Sequence, residues 1–200
     1  GAGLPGGTAQ RQPAMSSPIL TINAGSSSLK FALYDQGRQR LRGLVERIHE
    51  APRLSLHEEA AGTEGFTVEG TGHAAVAHAL LDWLEGHVGQ ASFAAVGHRV
   101  VHGGRTHDQA RRVDAALLDE LDELVPLAPL HQPQALAIIR QIHEHWPDLP
   151  QVACFDTAFH RTQPWLNQCY ALPRQLTDEG IQRYGFHGLS YAHVARQLPD

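Results

Sequence analysis

Sulfur is scarce in this chain. Its 200 residues include two cysteines, Cys154 and Cys169, without CxxC spacing, which excludes a disulfide framework and a structural zinc site and leaves buried free thiols as the expectation. No apolar run approaches the roughly 20 residues that cross a bilayer, and no charged segment followed by an apolar core opens the sequence. A cytoplasmic protein with no membrane partner is expected. Basic runs are missing too: 16 Lys and Arg against 21 Asp and Glu, spread along the chain, give a formal charge of -5. That balance argues against nucleic acid, whose phosphates call for clustered cations. The P-loop pattern GxxxxGK[ST] is absent, since Lys30 follows Leu29 and precedes Phe31, and no GxGxxG joins a strand to a helix. A P-loop or Rossmann nucleotide site is therefore disfavoured. There is no internal repeat and no low-complexity tract.

What is present is a globular composition. With 42% hydrophobic residues the chain can bury one good core, or one domain and part of a second. The opening GAGLPGGTAQRQPA, ahead of the single methionine Met15, is Gly/Pro/Gln-rich and aperiodic. Residues 1–15 are read as a disordered expression-vector scar. Ile19–Asn23, Leu29–Tyr34 and Gln39–His49 alternate as an antiparallel three-strand meander. Residues 50–72, rich in glycine, carry two short strand-like pieces, RLSLH and GFTVEG, and read as an edge or excursion. His73–His87 has helical apolar spacing, Phe93–Val101 is a buried strand, and Val113–Val125 is again helical. Pro133 suits the first turn of a helix reaching about His145, and Val152–Phe155 is a last short strand. From Phe159 loops dominate until a helix begins at Leu189. The order β-β-β-(excursion)-α-β-α-β implies an α/β fold, one mixed sheet with helices on its faces. Residues 16–160 form that domain, and 161–200 open a second that is cut short.

Five clusters could carry chemistry. The turn Asn23-Ala24-Gly25-Ser26-Ser27-Ser28, closely followed by Lys30, is either a plain polar hairpin turn or a phosphate cradle of backbone N–H groups, hydroxyls and one cation. In AVGHRVVHGG, residues 95–104, Arg99 lies within an apolar strand and must face a cleft or meet a carboxylate. Its planar fork suits a substrate carboxylate, and a structural ion pair is the alternative. His98 and His102 share a strand face without any further ligand pattern, a weak basis for a metal site. APLHQP places His131 among prolines, VACFDTAFH places Asp156 at the carboxyl end of a strand, and YGFHGLSY flanks His187 with Phe186 and Gly188.

Taken in order, INAGSSSLKFALYD, GHRVVHGG, APLHQP, FDTAFH and YGFHGLSY closely resemble the signature segments of the acetate kinase family. The resemblance runs from about Ile19 to the end and spans five motifs. It implies the RNase H-like mixed sheet of the actin-like ATPase superfamily, in the N-terminal half of a protein about twice as long. It also implies reversible, Mg²⁺-dependent transfer (Mn²⁺ as an alternative metal) of the ATP γ-phosphoryl group to acetate, giving acetyl phosphate and ADP, by a protein that is homodimeric at full length. By motif, Asn23 would help hold the metal, and Ser26, Ser28 and Lys30 would face the phosphates. Arg99 would bind the acetate carboxylate, with Val101, Leu130 and Phe186 around its methyl group. His131 and His187 would contact the transferring phosphoryl group, and Asp156 is the family's catalytic acid. Because acetate is already ionised at neutral pH, orienting substrate or metal is as plausible a task for Asp156 as proton abstraction. Gln132 stands where the family has Asn, and Leu189 and Tyr191 where it often has Thr and His; these departures read as peripheral. The family's second catalytic arginine, its metal-binding glutamate and its adenosine pocket would lie beyond residue 200, so the chain alone is expected to be inactive. Propionate kinase shares nearly every motif, and a non-catalytic ATP-binding module of the same superfamily is the rival of another class.

Overall fold

Alternating apolar residues build the sheet. A computed structural model describes residues 18–58, 62–87 and 93–198; the scar read at residues 1–15 lies outside them. In β1 (Ile19–Ala24) the side chains of Leu20, Ile22 and Ala24 are buried while Thr21 and Asn23 stay half-exposed on the opposite face. β2 (Ser28–Asp35), β3 (Arg38–Glu46), β4 (Arg53–Glu58) and β5 (Gly62–Thr67) continue outward as an antiparallel meander. On the other side of β1 lie β6 (Ala95–Val100) and β8 (Gln151–Phe155), both parallel to it, and the two-residue β7 (Arg111–Arg112) closes that edge antiparallel to β8. The order is β5-β4-β3-β2-β1-β6-β8-β7.

Helices α1 (His73–His87), α2 (Ala115–Glu123) and α3 (Gln132–His145) cover one face of this sheet. Val76, Ala77, Leu80, Leu81 and Leu84 of α1 and Ile138 and Ile142 of α3 pack on Leu20, Ile22, Phe31 and Leu33. Each such side chain contributes about 1.5–3 kcal/mol by leaving water. α2 starts on Asp114, whose carboxylate accepts from Leu117 N–H at 2.8 Å, and packs Leu117 and Leu121 against Val100 and Phe155. Beyond β8 the chain turns through a short 3₁₀ segment, Ala158–Thr162, and the small helices α4 (Trp165–Gln168) and α5 (Arg174–Asp178) before α6 (Gly188–Gln197).

Residues 50–72, read as an edge or excursion, form the edge of the sheet: β4 and β5 are two full strands, with backbone pairing from Arg53↔Thr67 to Glu58↔Gly62. The third strand ends at Glu46, short of the expected His49, because Arg47 takes a left-handed φ of 56° that breaks the ladder. Both thiols are half-buried rather than buried, and burial pushes the Cys154 thiol up. Among the described residues no helix is long and apolar enough to cross a membrane.

Candidate active site

The face left free by the helices carries a polar row at the carboxyl ends of β1, β6 and β8. The register pairs Asn23 with Lys30 across β1 and β2, so the two stand side by side on that face. On the other flank, Arg99 of β6 donates from Nη1 to Asn23 Oδ1 at 3.1 Å. Asp156, one residue past β8, accepts at Oδ2 from Arg99 Nε at 2.9 Å and from Nη2 at 2.5 Å. The carboxylate lies deep, 1% exposed, and the guanidinium keeps 25% of its side chain open to solvent. The expected alternative of an ion pair is thus realised. It does not exhaust the arginine, because these bonds use three of its five N–H donors and leave two for a ligand.

At the start of β2 the turn Gly25–Ser28 is closed by Gly25 N–H donating to Ser28 O at 2.7 Å. Two histidines that the sequence reading placed only as element ends brace it. His73 donates from Nε2 to Gly25 O at 2.7 Å, and His49 donates to Ser26 O at 3.0 Å. Burial lowers the His73 pKa and so favours the neutral ring, outweighing the hydrogen bond to the Gly25 carbonyl, which acts the other way. Ser26 and Lys30 are exposed and Ser28 half-exposed. Lys30 is also the only lysine in the chain, every other basic long side chain being arginine. That singularity was a readable signal.

Phe186 packs against His102, which sequence reading treated only as a weak metal ligand. Its ring meets Tyr184 at 4.4 Å and Phe186 at 5.8 Å between centroids, and its Nδ1 accepts from Gly104 N–H at 2.9 Å. Burial lowers its pKa, so it stays neutral. Its backbone is gripped at both ends by Gln132, fully buried, which accepts from His102 N–H at 3.1 Å and donates to His102 O at 3.0 Å. The departure Gln132 is therefore a structural clamp between α3 and the loop after β6, made through the His102 backbone. His131 and Leu130 are exposed, Leu130 by 69%, and Val101 is buried.

The YGFHGLSY loop is pinned over Asp156. Gly188 N–H donates to Asp156 O at 2.8 Å, so close that an added Cβ would sit 2.3 Å from that oxygen. His160 donates from Nε2 to Phe186 O at 2.9 Å. Between these anchors His187 adopts a left-handed φ of 57° and remains exposed at the start of α6.

His98 belongs to the opposite face. It is buried, donates from Nε2 to Gln151 Oε1 at 2.7 Å, and burial pushes its pKa down to about 4. Gln151 in turn donates to Ile139 O at 3.1 Å, so the pair locks β6 and β8 to α3 beneath Arg99. His98 and His102 form no ligand set among the described residues. The donors in the cleft are of another kind: the Asn23 amide oxygen and the Asp156 carboxylate are hard oxygens, the chemistry that suits magnesium.

Residues 18–200 match the model of the acetokinase family. The chain is 44% identical over 202 aligned positions to an acetate kinase of Methylocella silvestris, covering 93% of this chain and 50% of that protein. Among solved structures it is similar to a propionate kinase from Francisella tularensis, with a TM-score of 0.83 and 36% identity over 91% of this chain and 48% of that one. An acetate kinase of Porphyromonas gingivalis superposes with a TM-score of 0.80 and 32% identity over 88% of this chain and 46% of that one. The chain spans about half the length of the curated relatives it matches. With the match running from residue 18 to residue 200, this chain belongs to the acetokinase family.

Proposed function

We propose that the chain is the N-terminal half of an acetate kinase, transferring the γ-phosphoryl group of ATP reversibly to the carboxylate of acetate. The observation that carries this reading is Arg99, held by Asp156 and Asn23 with two donors to spare beside a serine-rich turn and the single lysine. A nucleotide clamp without an acceptor has no need of a carboxylate receptor. Residues 16–160 make the first domain in this reading, and 161–200 begin a second that supplies the rest of the site.

Phosphoryl transfer depends on in-line positioning and on donors aimed at the equatorial oxygens. Arg99 receives the acetate carboxylate, and Asp156 holds its guanidinium in one orientation rather than abstracting a proton, since acetate is ionised at neutral pH. Val101, Leu130 and Phe186 enclose the methyl group. Ser26, Ser28 and Lys30 take the phosphates, and His131 and His187 donate to the transferring group. Asn23 and Asp156 would hold Mg²⁺, which when bound neutralises charge on the phosphate oxygens. The complete protein is proposed to be a cytoplasmic homodimer.

Similarity to a propionate kinase structure keeps the longer acid as the second reading. One methylene is worth only about 1–3 kcal/mol of discrimination. Transfer of labelled phosphate from ATP by the complete protein, with each acid in turn, tests both. Label appearing on acetate with the larger kcat/KM supports the proposal; label on neither acid refutes it.

A further inference from the structure

Far from the cleft, two histidines and an aspartate converge where the C-terminal end of α3 meets α1. His78 and Asp82 stand four residues apart on α1 and share a face, and His145 is the last residue of α3. Asp82 Oδ2 lies 3.6 Å from His78 Nε2, and Asp82 Oδ1 lies 3.9 Å from His145 Nε2. One ligand atom from each of the three falls within 4.8 Å of the others. Glu85, three residues beyond Asp82, adds a carboxylate oxygen 3.2 Å from His145 Nε2. The two imidazoles meet edge to face with centroids 5.7 Å apart.

We propose that this cluster is a second metal site, binding Zn²⁺ or a cation of similar character through His78, Asp82, His145 and Glu85. Zinc–ligand bonds of about 2.0–2.2 Å in a tetrahedron set neighbouring donor atoms about 3.3 Å apart. The 3.6 and 3.9 Å from the two Asp82 oxygens to the histidines call for modest side-chain shifts to reach that geometry, and Glu85, 3.2 Å from His145 but outside the group of three, must swing in to become the fourth ligand. His145 now donates its Nε2 proton to Glu85; moving that proton to Nδ1 frees both groups to ligate. Two carboxylates balance the dication, and the carbonyl end of α3 adds favourable potential. Two nitrogens and two oxygens suit zinc, nickel or cobalt, whereas the all-oxygen cleft suits magnesium. The two sites would not compete. With α3 rising about 1.5 Å per residue over 14 residues, roughly 20 Å separates this cluster from His131. A bound ion there would staple α1 to α3 without touching the reacting groups.

Calorimetric titration of the chain with ZnCl₂, with thermal melts in parallel, tests the site. One equivalent should bind, and a hundredfold excess over Kd should raise Tm by about 5 °C or more. Millimolar MgCl₂ should not displace it. His78→Asn and His145→Gln should each weaken binding at least 100-fold and abolish the Tm rise, while His143→Gln, on the same exposed turn, should leave both intact. Because His78 and Asp82 are 63% and 57% exposed, His78→Asn and Asp82→Asn keep the fold and serve as paired tests. Absence of binding to the unmodified chain, or binding that survives these substitutions, overturns the proposal.

Discussion

Removing the Asp156 carboxylate tests the physical core of the site. The group is 1% exposed and accepts two charge-assisted hydrogen bonds from Arg99 at 2.9 and 2.5 Å. Truncating one partner of a fully buried pair costs about 3–5 kcal/mol, because the other charge is left unpaired. Here the stranded guanidinium is 25% exposed and keeps its bond to Asn23 Oδ1 at 3.1 Å, so water and the amide relieve part of that penalty. Asp156→Ala should therefore destabilise the chain by about 2–4 kcal/mol. Arg99→Ala should cost at least as much, about 3–5 kcal/mol, because it strands a carboxylate that is 1% exposed, and the double variant should cost less than the sum of the two. Urea denaturation of the four proteins gives the coupling energy, expected at about 1.5–3 kcal/mol. A coupling below about 0.5 kcal/mol would mean that the pair is not formed in solution, and the idea that Asp156 orients Arg99 would fail with it.

Other consequences can be measured separately. Lys30→Gln in the complete protein should raise the KM for ATP about tenfold or more, through loss of a charged contact of about 1.5–3 kcal/mol, while the KM for acetate stays put; a change confined to acetate would misplace Lys30. Because burial holds folded His98 near 4, the unfolded chain takes up that proton first. Its contribution is thus complete above about pH 6.5 and is lost as pH falls toward 4, roughly 3 kcal/mol at 1.36 kcal/mol per pH unit. The stability difference between the natural chain and His98→Gln should shrink over that window, and a pH-independent difference would contradict the burial account. Gly188→Ala places a Cβ 2.3 Å from Asp156 O and should cost at least about 2 kcal/mol, by urea midpoint, as the loop lifts away; a cost under about 0.5 kcal/mol would show that the loop is not docked there.

Much of the fold is written locally. The period of two in β1 and β2 and the helical spacing of Val76, Leu80 and Leu84 each follow from one face meeting a core. The pieces of β4 and β5 were visible, but Gly62 and Gly65 obscured their joining, because backbone pairing at such positions is set by the neighbouring strand rather than by side chains. The pair Arg111 and Arg112 has no periodicity at all, and only the edge of β8 makes it a strand. At the site, an arginine in an apolar strand demanded a partner, yet nothing local pointed to Asp156, 57 residues on. That pairing arises from the parallel register of β6 and β8, a property of the sheet. His49, His73 and Gln132 were missed for the same reason: each acts on a backbone carbonyl or amide distant in sequence.

The central claim is that Arg99 receives the acceptor carboxylate in a phosphoryl transfer completed by a second domain. Initial rates of acetyl phosphate formation by the complete protein and its Arg99→Ala variant test it most directly. A fall in kcat/KM for acetate of about 10- to 150-fold, equivalent to 1.5–3 kcal/mol, with the KM for ATP little changed, is predicted. Unchanged kcat and unchanged KM for acetate in that variant would contradict it.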